Sequence, residues 1–420
     1  MTTQAAMHTF VKETGGWASA QLEACTRCGM CAEACHFYQA TRTPEYAPVW
    51  KIELLRRAYE QRFTVGGKLR LALGIDRRIT DEDLGRWSRV VYEACTVCNK
   101  CAMVCPMGIQ LGPLIHEVRS AMSEAGVVPA DLMDAVNKQM DEGSPLGMTD
   151  KVWDSRLEWV ADDWEVDIPR DVQGADSLVV FSSIEVMKFP SNVAAIAKIM
   201  NTAGEKWTVS STAREVVNFG FYEGNEHRTV EILKRVFDGA KELGVKRIVV
   251  TECGHAYDAL RWTAASMMDV PAGIEVTHIV GVLGDFVRSG RIKLKAGAFD
   301  NDGAITFHDA CKIQRRGGHI KEPREILGIL APNAFKEMSP NREQAICCGG
   351  GGGVIAIKEA DPQRYAVFQM KVDQARAVGA QTVTMTCSNC RLQFTDGVTH
   401  FGLDLKVTGL AQMVADALVE

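Results

Sequence analysis

The sequence predicts a helical domain over residues 1–140 and, after a connector at 141–176, an α/β region in two similar halves, 177–295 and 296–420. Three observations predict it. Residues 48–90 carry Leu, Arg and Lys at helical period, as in PVWKIELLRRAYEQRF and DEDLGRWSRVVYEAC. From 177 the texture changes. Short β runs (LVVFS, RIVVTEC, AITFHDAC, TVTMTC) alternate with helical runs (NVAAIAKIM, HRTVEILKRVFDGAKELG, YAVFQMKVDQARAVG), the pattern of parallel sheets covered by helices. The halves also match in four blocks taken in one order. LVVFSSIE (178–185) lies against AITFHDAC (304–311), and KWTVSS (206–211) against QAICC (344–348). RIVVTECGHAYDAL (247–260) lies against TVTMTCSNCRLQF (382–394), and HIVGVLGDFV (278–287) against LKVTGLAQMV (405–414). In the connector, DEGSPLG has loop composition, and Trp153, Trp159 and Trp164 are expected to pack it onto a domain.

The 420 residues are 46% hydrophobic and 24% charged, a globular balance. A net charge of −6 argues against a nucleic-acid interface, which needs a basic patch. No apolar run approaches the ~18 residues of a transmembrane helix. The N-terminus lacks a basic start followed by an apolar stretch, so no signal peptide is expected. Fourteen cysteines in such a chain, many in C-x-x-C runs, point to metal rather than to disulfides. The expected compartment is the cytoplasm, with any membrane association made through a partner.

Cys25, Cys28, Cys31 and Cys35 are spaced two, two and three residues apart, and Cys95, Cys98, Cys101 and Cys105 repeat the spacing. This run binds paired [4Fe–4S] cubanes, the fourth cysteine of each run serving the other cluster. One cluster is therefore assigned Cys25, Cys28, Cys31 and Cys105, and the other Cys95, Cys98, Cys101 and Cys35. Pro106 follows the second run as the bacterial pattern has it, whereas His36 follows the first. That histidine is read as an ordinary structural residue, with tuning of a cluster as the sharper alternative. Met30, Met103 and Met107 are read as apolar cover. The helical interval 36–94 makes this an α-helical ferredoxin-type domain.

A second set of cysteines lies in the last quarter: Cys311, the adjacent Cys347 and Cys348, and Cys387-x-x-Cys390. Five thiols are too many for one tetrahedral zinc and suit a larger iron–sulfur assembly. Across the block match, Glu185 falls opposite Cys311, Ser210 and Ser211 opposite Cys347 and Cys348, Cys253 opposite Cys387, and Ala256 opposite Cys390. The first half keeps one thiol of five, so only the second is expected to hold a cluster.

Two cubane runs followed by a duplicated module ending in C…CCG…C-x-x-C resemble the heterodisulfide-reductase-like iron–sulfur proteins. The resemblance covers residues 20 to 415 or so, and the layout is similar to that of the HdrD and DsrK subunits and of the sulfur-oxidation (sHdr) B-type subunit. It implies an α-helical ferredoxin-type domain followed by an α/β domain made of two Rossmann-like CCG repeats. It implies that Cys311, Cys347, Cys348, Cys387 and Cys390 bind one additional, non-cubane [4Fe–4S] cluster that makes or breaks a disulfide-type bond. The first repeat departs from family members with two complete modules. The implied role is an oxidoreductase subunit acting on sulfur groups within a larger complex, with a thiol or disulfide sulfur carrier as partner. More distant members, the GlcF and GlpC types, imply the alternative of electron transfer from a flavoprotein dehydrogenase. A zinc-bound scaffold is the reading outside redox chemistry.

Around the five-cysteine set, His255 and His308 are candidate proton donors to a leaving thiolate, and His319 is a third neighbour. Cys253 is read as a buried remnant of the duplication. Lys312, Arg315 and Arg316 are either an anion-attracting group or a solvated face. Gly349–Gly353 lacks the lysine and hydroxyl of a phosphate loop and is read as backbone giving way to a bulky cluster or substrate.

Overall fold

The computed structural model describes residues 2–13 and 15–419. The chain divides into two compact units, neither continuous in sequence. One takes the residues up to Val136 with Phe219–Thr229 and Gly349–Met370; the other takes Asn137–Asn218, Val230–Cys348 and the residues from Lys371 on.

Helices dominate the first unit. Asp81–Tyr92 starts with a capping box: the Asp83 carboxylate accepts from the Thr80 amide at 3.0 Å and Thr80 Oγ1 accepts from the Asp83 amide at 3.4 Å. Its buried face carries Leu84, Trp87 and Val91. Both cysteine runs are tight loops that lead into short helices, Met30–Ala34 and Lys100–Met103. The two loops share a backbone path. Arg27 and Gly29 in the first have φ of 56° and 80°, and Val97 and Asn99 at the same places in the second have 51° and 59°. A β-branched residue in this region is unusual, so the run imposes its turn on whatever residue stands there. Asn99 is held by the Gly112 amide, which donates to its Oδ1 at 3.2 Å.

Arg119, on the helix Leu111–Glu124, fastens the unit's three segments. It is 1% exposed and donates to five carbonyl contacts: Val91 twice, Cys95, Tyr222 and Gly352, at 2.8–3.1 Å. The glycine run that carries Gly352 yields to protein rather than to a ligand. A Cβ on Gly352 would stand 2.7 Å from the Thr96 carbonyl carbon, beside Cys95, and one on Gly349 would meet Val367. This corrects the expectation that the run makes room for a cluster or substrate.

The second unit is α/β with parallel sheets. β1 (Ser177–Val180), β2 (Trp207–Thr208), β3 (Arg247–Val250) and β4 (Glu275–His278) form a sheet in the order β2-β1-β3-β4. β5 (Ile305–His308), β6 (Thr382–Met385) and β7 (Lys406–Gly409) form another in the order β5-β6-β7. All pairings are parallel. Every residue of β1, β5 and β6 is buried, as strands covered on both faces must be.

The sheets correct the block match at three places. His278 and Gly409 each end a strand and cap the following helix, Ile279–Arg288 or Leu410–Asp416, so His278 stands opposite Gly409 rather than Leu405. The residue that bridges β5 at the place of β2 is Phe335, through Ile305, and Cys347 and Cys348 lie beyond it outside any strand. Counted from the strand ends, Ser183 rather than Glu185 stands opposite Cys311: Ser182 caps the helix Ser183–Lys188 and Ala310 caps the π-turn Cys311–Arg315. The match of Cys253 with Cys387 agrees with the backbone, since each caps a helix with nearly the same φ and ψ. The connector is less loop-like than expected. It contains the helix Asp150–Asp163, which buries Trp153, while Trp159 and Trp164 stay 40% and 37% exposed and stack edge-on at 5.3 Å.

Glu185 closes the first sheet's polar knot. Its Oε2 accepts from the Ser182 amide, Ser182 Oγ and Thr251 Oγ1 at 3.0, 2.9 and 2.7 Å, and its Oε1 from the Glu252 amide and Asn192 Nδ2 at 3.1 and 3.2 Å. With five donors satisfied by one buried carboxylate, Glu185→Ala should cost roughly 2–4 kcal/mol, because the stranded groups lose their partners without gaining water. Chemical denaturation checks this. An unchanged midpoint would show that the knot is dispensable.

Candidate metal centres

The two runs in the first unit interleave. One cavity is lined by Cys25, Cys28, Cys31 and Cys105, with Val49, Ile109 and Leu111 as apolar wall. The other is lined by Cys35, Cys95, Cys98 and Cys101, with His36, Phe37, Lys51 and Ile115. Each cavity thus draws three cysteines from one run and the last from the other. Met30 and Met107 line the first cavity but are 51% and 50% exposed; Met103 is 44% exposed and lines neither. His36 is buried, with Nε2 3.3 Å from Thr96 Oγ1 and Nδ1 4.0 Å from Cys98 Sγ.

The cavities differ in charge. Lys51 is 1% exposed and points into the second, with Nζ 3.6 Å from Cys35 Sγ and bonded to the Ala94 carbonyl. Burial opposes its charge, but the neighbouring Cys35, Cys95 and Cys101 outweigh burial and raise its pKa. Arg119 reaches the Cys95 carbonyl from behind. Among the described residues neither cation has a carboxylate within ion-pair reach. Burial alone pushes the Cys31 thiol up to about 11, and Cys101 is pushed well up first by burial and then by Cys98.

In the second unit the five late cysteines are all buried. Cys311 opens the π-turn after β5, a local widening of the helix that is frequent at functional sites. Cys387 caps the helix Ser388–Phe401, and Cys390 sits one turn in. A ligand nitrogen of His308 and the sulfurs of Cys348 and Cys390 all lie within 4.8 Å of one another. Cys390 also contacts Cys387; hydrogen bonds among Cys348, Cys387 and Cys390 raise the Cys390 pKa and lower that of Cys387. Cys347 acts electrostatically on His255, His308 and Lys371. Burial pushes the His255 pKa down to about 4 and that of His308 to about 3, so both rings are neutral at pH 7.

Sequence reasoning missed Lys371. It is 1% exposed on the helix Asp361–Ala377, and its one hydrogen bond among the described residues goes to Gln374 Oε1 at 2.8 Å. Burial pulls its pKa down to about 8 against the pull of Cys348 and Cys347. Nothing local marks it, because it is one lysine among many on a helix pattern.

Other expected neighbours are committed elsewhere. Lys312 and Arg316 pair with Asp258 at 2.9 and 2.6 Å, and Arg315 donates to the Glu343 carbonyl at 2.7 Å. They are neither a solvated face nor free to attract an anion. His319 is held by Glu322 at 3.1 Å and Tyr257 at 3.3 Å. Cys253 is 1% exposed, near Cys387 and the Glu185 and Glu215 carboxylates.

The donors fit iron–sulfur clusters. Such clusters are held by cysteine thiolates, and buried cations without carboxylates call for an anionic occupant, since an unpaired buried charge costs several kcal/mol.

Comparison with known proteins agrees. The 4Fe-4S dicluster domain model matches residues 21–109, and the cysteine-rich CCG domain model matches residues 305–395. An Hdr-like menaquinol oxidoreductase iron–sulfur subunit of Archaeoglobus profundus is 25% identical over 95% of this chain and 79% of its own length. A subunit of the dihydromethanophenazine:CoB–CoM heterodisulfide reductase of Methanosarcina mazei is 25% identical over 95% of this chain and 94% of its own. A crystal structure of a hypothetical protein from Helicobacter pylori superposes with a TM-score of 0.53 over 99% of this chain and 77% of its own, at 11% identity, which speaks to fold alone. The molecule is an iron–sulfur protein with a dicluster domain and a CCG domain. It belongs to the heterodisulfide-reductase-like CCG-domain family. Its relatives are oxidoreductase subunits of larger complexes. Among the described residues no helix is long and apolar enough to cross a membrane.

If Cys35, Cys95, Cys98 and Cys101 hold one cluster, Lys51→Met lowers its reduction potential, because each electron added makes the cluster more negative and the cation favours that state. The potential of the second dicluster centre stays put, and Lys51→Arg keeps most of the effect. Potentiometric EPR titration reads both centres; two unmoved potentials would contradict the assignment.

Proposed function

We propose that the chain is the iron–sulfur subunit of an Hdr-like complex of the sHdr or DsrK type. In this reading Cys25, Cys28, Cys31 and Cys105 hold one cubane, and Cys35, Cys95, Cys98 and Cys101 hold another. Cys311, Cys347, Cys348, Cys387 and Cys390 hold a third, non-cubane cluster at which a thiol/disulfide carrier of sulfur metabolism reacts. The observation that carries the reading is the convergence of Cys348, Cys390 and His308 in a buried spot, with Cys387 and Lys371 beside it.

When bound, the clusters supply one-electron steps, two of which, with two protons, turn one disulfide into two thiols or the reverse. The chain's own residues do the rest. The buried thiols exclude water from the site. Lys371 offsets thiolate charge there and favours an anionic sulfur over a neutral one. The neutral rings of His255 and His308 each carry one N–H that a departing thiolate sulfur can accept. A soluble location with membrane contact through a partner is part of the same proposal.

The printed name of the Archaeoglobus relative favours a second reading, an electron-transfer subunit linking a flavoprotein dehydrogenase to quinone. The two readings differ in whether the CCG centre meets a thiol. On the first, low-temperature EPR of oxidised protein acquires a new signal when a thiol is added. Cys348→Ser abolishes that signal and lowers iron content while the dicluster signals remain. A spectrum indifferent to thiols would leave electron transfer alone as the function, and unchanged iron in Cys348→Ser would refute the ligand set.

A further inference from the structure

We infer that His308 binds metal directly at the five-cysteine centre, through a ring nitrogen, making that centre a mixed cysteine–histidine site. The inference rests on the reading of a metal centre at those cysteines and adds a ligand to it.

His308 is the last residue of β5 and is 0% exposed. Phe394 packs against its ring with centroids 5.0 Å apart. Neither ring nitrogen has a hydrogen-bond partner among the described residues. A ring nitrogen lies within 4.8 Å of both the Cys348 and the Cys390 sulfur. Metal–sulfur bonds of about 2.3 Å and metal–nitrogen bonds of about 2.0 Å put the donors of one tetrahedral ion about 3.5–3.8 Å apart, inside that limit.

The chemistry of the ring decides between ligand and bystander. A neutral imidazole carries one N–H and one lone pair. Thiolates accept hydrogen bonds and donate none, so they satisfy the N–H and leave the lone pair bare. A buried acceptor left bare costs about 1–3 kcal/mol. Lys371, the nearby cation, is bonded to Gln374 instead. A metal ion is the remaining partner for the lone pair.

The first sheet supplies an internal comparison. Val180 ends β1 as His308 ends β5, so the half that lacks four of the five thiols also lacks the histidine. The ligand signature of this chain then reads H-x-x-C at 308–311 followed by C-C and C-x-x-C. Where histidine replaces cysteine on iron, the reduction potential rises, so the centre would sit above an all-thiolate one of the same shape.

The test uses the complete protein, purified without oxygen, with ordinary or ¹⁵N-labelled histidine. Pulsed EPR on the signal of the CCG centre is expected to show a directly coupled nitrogen that changes with the label. The coupling survives His255→Ala and is lost in His308→Ala, either with the signal retained or with the centre itself. A CCG signal without a coupled histidine nitrogen, or a coupling that survives His308→Ala or disappears in His255→Ala, would overturn the ligand assignment and leave the proposed function standing. Iron and EPR that show no centre beyond the dicluster pair would overturn both.

Discussion

Buried positive charge without buried negative charge is the constraint on which the rest depends. Lys51, Arg119 and Lys371 are each about 1% exposed, and none has a carboxylate partner among the described residues. Proteins rarely bury such charges unless something anionic meets them. Around Lys51 and Lys371 the available anions are the thiolates of Cys35, Cys95 and Cys101, and of Cys347 and Cys348. Arg119 spends its donors on carbonyls of the loops that carry one run, so it fixes the shape of a cluster loop and contributes charge to it at once. Stability and cofactor binding are therefore coupled in each unit: the same side chains cost free energy without the clusters and repay it with them.

The other half of the α/β region shows what happens when this coupling is lost. Where the second sheet has Cys311, the first has Ser183, bonded to Glu215. Glu185 accepts five hydrogen bonds, and Val180 takes the strand-end place of His308. Hydrogen bonds among oxygen and nitrogen atoms have replaced metal–ligand bonds as the agent that ties strand ends together. Cys253 keeps its helix-capping backbone, which a cysteine performs as well as its neighbours would, and its persistence needs no redox role.

Most of the architecture was legible in the sequence for two physical reasons. Strands covered on both faces must be apolar throughout, so VV and ITF runs betray parallel sheets. Cysteine spacing is set by the size of the group it wraps, so the two runs and the late C-C and C-x-x-C were visible from spacing alone. What stayed hidden depends on register and on long-range packing. Ser183 instead of Glu185 opposite Cys311, and Phe335 instead of the 344–348 stretch beside β5, are shifts that similarity between short blocks cannot resolve. Lys51 and Lys371 carry no local signature, because a buried lysine is defined by what surrounds it in space. His308 was noticed as a neighbour, but its lack of hydrogen-bond partners is a fact of packing. The glycine run misled for a related reason: glycine signals close approach, and here the approaching group is the Thr96 backbone.

The central claim is that this chain holds three iron–sulfur centres, the third built on the five late cysteines. Iron and acid-labile sulfide per chain, measured on protein purified without oxygen, test it most directly. The account predicts about twelve of each, four per cluster. About eight of each, with the late cysteines freely titrated by a thiol reagent after unfolding under anaerobic conditions, would contradict it.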